Sequence, residues 1–495
     1  MVLNFLSLFI VVPFLTKEPT IYGIYTVCIS FSIFLTYADL GFVGAGQKYA
    51  AEHYARKELK EEIKIIGFTI FILFLFLLLL SLLFLYFSFY PETIIKSIVP
   101  GHETTVASSL FLILFLFTPV TLLQRLLQMI YGIRIEDYIV QRINIFASLI
   151  KILSVLWFFK QGQYNIVGYF LFTQLVNLVT AFIALLIARS RYKYDFKELL
   201  RSLRFNHSVF SKTKNLAFTS LYITIAWILY YELDTLVIGK FIGAEQVAIY
   251  AIGLTILSFF RSILGIMFSP FSARFNHFIG VNDLDGLKNF YFSVITVLTP
   301  LIVLPITAIA MLSKQIVLSW VGAGYQESIV ITELLVLCNI FAFITYPTGM
   351  LLMVQERLKK LYFVNTLIPV IYWTGIFMFY RFLGLEAFAL FKFIAFGISA
   401  IVYYIVMVKF MDVNFKKAWQ SIFQPVIIPV LFILTATYFL RDSLPMEKSK
   451  YNILVVAICG GCIILFSILI QYALSKSWRF QLKAIYNSIK KSQLL

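Results

Sequence analysis

Apolar residues run through this chain in long unbroken stretches separated by short polar breaks. A hydrocarbon layer roughly 30 Å thick takes about 20 helical residues to cross at about 1.5 Å each. Stretches of that kind lie near 1–15, 20–46, 65–90, 105–130, 143–160, 165–188, 215–241, 246–272, 289–312, 328–354, 362–381, 385–408, 421–440 and 451–474. About fourteen transmembrane helices are therefore predicted. The ten-residue alternation of a membrane β-barrel is absent from these runs, so the backbone must be satisfied within helices and the fold class is all-α. The first stretch falls short of a full crossing and no basic segment precedes it as in a signal peptide, which points to a late start codon or a shortened first helix.

The pattern repeats. Tyr22–Thr26 opens a stretch that ends in a polar loop at 48–64, and about 225 residues later Ile249–Gly253 opens one that ends at 274–288. Residues 65–90 correspond in the same way to 290–315, and 105–128 to roughly 330–355. Two six-helix pseudo-repeats are expected: a bundle over 1–190, a basic cytoplasmic linker at 191–214, a second bundle over 215–410, and two further transmembrane helices with a basic tail over 411–495.

Composition agrees, because 495 residues that are 61% hydrophobic and 13% charged carry more apolar surface than a soluble core hides. The net charge of +17 raises the question of nucleic acid, but the cations are spread over short loops rather than gathered on one soluble domain. With the amino terminus placed inside, 29 of the 41 Lys and Arg fall in inner loops, so both termini are predicted to be cytoplasmic. The two densest basic stretches, 189–214 and 476–495, interleave cations with Leu, Phe, Trp and Tyr. That pattern suits helices lying on anionic membrane lipids, and it equally suits a solvated loop and a frayed tail.

Enzymatic chemistry finds little purchase. Cys28, Cys338, Cys459 and Cys462 lie in apolar stretches, and the four histidines are isolated, so no metal site or cofactor is expected. The longest outer loops run to only about 15 residues, too few for an active site. The carboxylate pairs Glu61-Glu62 and Asp283/Asp285 flank helix ends beside cations and read as solvated charge.

Charges within the apolar stretches are more informative, since an ionisable group at the bilayer centre costs on the order of 2.5–3.5 kcal/mol on insertion scales and normally faces a cavity. Arg261 sits near mid-span and has two readings, a cavity-facing substrate contact or a structural ion pair. Lys151 and Lys392 lie about 10–13 Å from a helix end, within reach of a snorkelling stem. Arg125 stands toward the inner end of the fourth stretch, where it meets either a phosphate or the interface. Glu232, Asp234 and Asp39 are candidates for ion coupling or gating, with simple hydration as the alternative. Prolines at 119, 270, 300, 305, 347 and 369 interrupt five stretches, as bends that move or as static kinks.

Two segments carry a family resemblance. Ala38-Asp39-Leu40-Gly41-Phe42-Val43-Gly44, continuing through Lys48-Tyr49-Ala50-Ala51-Glu52, resembles the end of the second helix in bacterial polysaccharide flippases of the Wzx type. Glu232-Leu233-Asp234-Thr235-Leu236-Val237-Ile238-Gly239-Lys240-Phe241-Ile242-Gly243 is similar to the seventh-helix ending of that family. The resemblance implies membership of the multidrug/oligosaccharidyl-lipid/polysaccharide exporter superfamily, with a MATE-like arrangement of two six-helix bundles and two trailing helices. It implies a flippase that moves an undecaprenyl pyrophosphate-linked oligosaccharide across the bacterial inner membrane by alternating access. A polysaccharide polymerase and a chain-length regulator are the partners it implies. Arg261, Lys151, Lys392 and Arg125 would then meet the pyrophosphate or an anionic sugar, with Lys151 and Lys392 on one path from opposite halves. A cation-extruding multidrug antiporter, a lipid II flippase and a membrane-embedded polymerase remain as rivals.

Overall fold

The computed structural model describes residues 2–37, 41–160, 163–355 and 357–483, and those residues form an all-helical, multi-pass membrane protein. Among them ten helices are long and apolar enough to cross a bilayer, and twelve if each of two bent pairs counts as one crossing. The other two expected crossings, 1–15 and 20–46, are shorter helices. The chain divides into two compact units, Met1–Ala248 and Ile249–Leu495.

The first unit opens with α1 (Val2–Leu15), α2 (Pro19–Tyr37), α3 (Phe42–Ala55) and α4 (Leu59–Phe89). The stretch expected to run unbroken over 20–46 thus belongs to two helices. Gly41, at φ 76°, caps α3, and a Cβ there would lie 2.4 Å from the carbonyl oxygen of Ala217, so only glycine fits both the left-handed backbone and the close approach. Then follow α5 (His102–Ile133), α6 (Asp137–Phe158), α7 (Ile166–Tyr192), the short α8 (Phe196–Arg201), α9 (His207–Tyr231) and α10 (Leu233–Phe241). The basic segment 191–214 is held against the protein: Leu199 is buried, and the backbone of Ser202 fits where Gly67 of α4 has no side chain.

Helices of this composition are apolar on all sides, so one face packs and the other meets lipid. Between α2, α4 and α5, Phe31 holds Phe84, Phe87 and Phe111 at ring-centroid distances of 5.6–5.8 Å. Outward, Leu79 and Leu82 of α4 and Phe146 and Trp157 of α6 stand exposed. Lys96 donates to the Phe241 carbonyl at one end, while Arg191 binds Glu136 through two hydrogen bonds of 2.7 and 2.8 Å at the other.

α2 approaches the start of the next helix so closely that any Cβ at Gly23 would lie 1.7 Å from the carbonyl oxygen of Ala244. A backbone atom cannot rotate away as a side chain would. Gly23→Val is expected to cost on the order of 3 kcal/mol through forced separation of the two helices. The check is the melting temperature and monodisperse yield of the detergent-solubilised variant; unchanged values would show that α2 shifts freely.

The second unit comprises the bulk of α11 (Ala244–Gly280), then α12 (Leu284–Met311), α13 (Ser313–Trp320), α14 (Ser328–Leu337), α15 (Ala342–Val354), α16 (Leu358–Leu383), α17 (Glu386–Met411), α18 (Phe415–Ile422), α19 (Gln424–Leu440) and α20 (Lys450–Leu474). α12 is the most enclosed of them, and its Asp283 is a helix cap, accepting from the Gly286 amide at 2.8 Å, rather than a merely solvated charge. Leu304 and Ala308 of α12 form a core with Val426 and Ile433 of α19 and Ile463 of α20, which fixes the last two long helices to the unit. Before two of its prolines the chain repeats one device: the Thr118 and Thr299 hydroxyls donate to the carbonyls of Leu114 and Ile295, at 2.7 Å each, beside the hydrogen bond that Pro119 and Pro300 remove. Residues 476–483 are helical, but the indole of Trp478 is buried and donates to the Val297 carbonyl at 3.1 Å. This part of the tail packs on α12 through Trp478.

Candidate functional site

A single polar stripe runs down α6. Asp137, Gln141, Asn144, Ser148 and Lys151 recur at steps of four and three residues, which places them on one helix face. They line a cavity of about 670 Å3 enclosed by α3, α5, α6 and α7 of the first unit. From α5 come Gln124, Arg125 and Gln128, and from α7 comes Asn177. Ala181 and Ala184 on α7 leave the room that larger side chains would fill.

Arg125 and Lys151, both expected to meet the substrate, are thus brought together in one cavity. Lys151 Nζ donates to Asn177 Oδ1 at 2.6 Å, and Arg125 Nη1 to Gln128 Oε1 at 2.9 Å. The Asn177 amide in turn donates to Gln174 Oε1 at 3.2 Å, so the lysine's partner is itself held in place. By helical rise Lys151 stands about 10 Å from the end of α6, deep enough that its charge depends on these neighbours. Against the two cations stands one carboxylate, Asp137. Such a cavity offers cations for a phosphate and a surplus of amides, each of which both donates and accepts, as hydroxyl groups require.

The other expected site residues lie elsewhere. Arg261 is half-buried on α11, within electrostatic reach of Tyr346 of α15. Lys392 of α17 is buried in the second unit, its ammonium 5.4 Å from the centre of the Tyr372 ring and 5.8 Å from that of Tyr250. Glu232 and Asp234 flank the 45° bend between α9 and α10, and both are buried rather than hydrated. An Asp234 oxygen accepts from the Thr235 amide at 2.8 Å. Asp39 lies outside the described residues.

Glu62 is not solvated: it is fully buried and accepts from Arg134 at 2.9 Å. The guanidinium lies 4.6, 4.9 and 5.3 Å from the ring centres of Tyr54, Tyr192 and Tyr194. Nearby, hydrogen bonds from Arg191 and Tyr192 hold the Glu136 carboxyl below its ordinary range, and burial pushes the Tyr194 phenol up. This cluster ties the ends of α3, α4, α5 and α7 together.

The sequence matches no known family and no curated protein. Solved structures do match. One titled as the lipid II flippase MurJ in an inward closed conformation superposes with a TM-score of 0.64 at 14% identity, covering 96% of this chain and 99% of that one. A transporter described as a member of the MOP superfamily shares the fold as well. An inward-facing multidrug resistance MATE transporter of that superfamily gives a TM-score of 0.65 at 13% identity over 83% of this chain and 94% of its own. A MATE structure in a bent conformation gives 0.54 at 12% identity over 83% and 92%. At these identities the likeness is one of fold, and it agrees with the all-α polytopic architecture that the apolar stretches predict.

Proposed function

We propose that the protein is a flippase that moves a polyprenyl-pyrophosphate-linked oligosaccharide from the inner to the outer leaflet of the bacterial cytoplasmic membrane, by alternating access, for surface polysaccharide assembly. The observation that carries this reading is the cavity of the first unit, where Arg125 and Lys151 stand among amide side chains. A diphosphate inside a low-dielectric protein requires cationic hydrogen-bond donors, and sugar hydroxyls require groups that donate and accept together. The polyprenyl tail needs no protein site, since the bilayer dissolves it. The fold shared with a lipid II flippase over nearly the whole chain supports a lipid-linked cargo.

On this reading Arg261 and Lys392 serve as further cationic contacts in the second unit, and both termini face the cytoplasm. On the same reading Glu232 and Asp234, buried at the 45° bend, couple an ion or gate, and Asp39 takes the same role from its position in the sequence. Those two buried carboxylates are also what favours a second reading, an ion-coupled multidrug antiporter of the same fold.

The test is leaflet-resolved flipping of a polyprenyl-pyrophosphate oligosaccharide in proteoliposomes, followed with a membrane-impermeant glycan probe. Wild type is expected to expose the glycan, and Arg261→Ala to abolish exposure while remaining folded and inserted. Normal flipping by Arg261→Ala would remove Arg261 from the path. Failure of wild type with several donors, together with protein-dependent efflux of cationic drugs, would replace the flippase reading by the antiporter.

A further inference from the structure

At one end of the second unit three lysines converge. Lys359 and Lys360 stand in the first turn of α16 and Lys409 in the last turn of α17, and the three rim a groove of about 310 Å3. All three are exposed, and no carboxylate among the described residues pairs with any of them. Lys409 is where a helix C-terminus favours a cation, but Lys359 and Lys360 are not: the positive end of the α16 dipole opposes them.

Directly along the helices from the lysines the groove turns apolar. Phe363, one turn after Lys359 and 58% exposed, faces Val402, Ile405 and Val406, which with Lys409 share one face of α17. Both helices qualify as membrane crossings. A helix-end lysine rim therefore lies at headgroup level, and the apolar part lies at the depth of the first acyl methylenes.

We propose that this groove is a binding site for an anionic glycerophospholipid, its phosphate on Lys359, Lys360 and Lys409 and the upper part of one acyl chain against Phe363 and Val402. The juxtaposition selects the occupant. A free phosphate leaves the apolar wall unused, a second copy of the chain brings three more like charges, and a soluble partner cannot reach the wall at bilayer depth. The site is separate from the basic stretches 189–214 and 476–483, which pack on the protein, and lipid binding is read without any transport measurement.

Native mass spectrometry of the full-length protein, titrated with phosphatidylglycerol or phosphatidylcholine of matched chains, tests the proposal. Wild type is expected to retain phosphatidylglycerol preferentially. Lys359→Gln/Lys360→Gln/Lys409→Gln is expected to lose one tightly held phosphatidylglycerol, with affinity falling roughly tenfold or more. The charge-matched control Lys60→Gln/Lys197→Gln/Lys212→Gln, which removes three exposed lysines of the first unit, should keep it. Val402→Trp, which fills the groove and leaves the charges, should lose it too. Equal loss in the control, or no change in the groove variant or in Val402→Trp, overturns the proposal.

Discussion

Arg134→Ala is expected to destabilise the protein by on the order of 3–5 kcal/mol, because it strands a carboxylate in a place closed to water. Glu62 is fully buried, its Oε1 is bound to Arg134, and its Oε2 has no other partner. The guanidinium simultaneously fills the space between Tyr54, Tyr192 and Tyr194, so alanine also empties an aromatic cage. Arg134→Lys should recover only part of the loss, since an ammonium lacks the planar face that the rings stack on. Glu62→Gln/Arg134→Ala should be more stable than Arg134→Ala alone, because a buried neutral amide costs far less than a buried unpaired charge. Thermal unfolding of the detergent-solubilised variants, followed by tryptophan fluorescence, measures the order. Equal stability of wild type and Arg134→Ala would mean that water reaches Glu62 and that the cluster does not hold the helix ends together.

The crossings were legible because membrane solvation is written in one dimension: any run of about 20 apolar residues has few alternatives. The breaks were not. Nothing in the run from 20 to 46 announces that α3 begins afresh after Gly41, because the reason is the Ala217 carbonyl on α9, nearly 180 residues away. The bend between α9 and α10 had a trace in Tyr231-Glu232-Leu233-Asp234, where two acids interrupt an apolar run, but their burial depends on neighbours from other helices.

Lys151 was conspicuous as a charge in an apolar stretch, and Asn177 was not, since a lone amide on another helix has no periodic signature. The stripe of α6 could have been found. Starting that helix at 143 cut off Asp137 and Gln141 and left too few polar positions for the period to show, whereas the helix begins at Asp137. Glu62 was misread for the opposite reason: beside Glu61 and Lys64 it looks like surface, and only Arg134, 72 residues on, brings it inside.

Lys151→Met is expected to slow flipping of a pyrophosphate-linked donor roughly 10- to 150-fold while leaving the fold intact. Methionine keeps the length and apolar stem of the side chain and removes only the ammonium that now rests on Asn177. A charge-assisted hydrogen bond to a phosphate contributes about 1.5–3 kcal/mol, and each 1.4 kcal/mol is about tenfold. Stability should hold or rise, because a charge deep in a transmembrane helix is costly until a ligand pairs with it. Asn177→Leu separates position from charge: the lysine stays but loses the group that orients it, so its loss of rate should be smaller, and once Lys151→Met is present Asn177→Leu should add little to it. The decisive comparison uses a donor with a monophosphate linker. If Lys151 contacts the pyrophosphate, the penalty of Lys151→Met shrinks when one phosphate is gone. A penalty of equal size with both donors would place the lysine against the glycan instead. A folded Lys151→Met protein that flips both donors at the wild-type rate would take the cavity of the first unit out of the transport path.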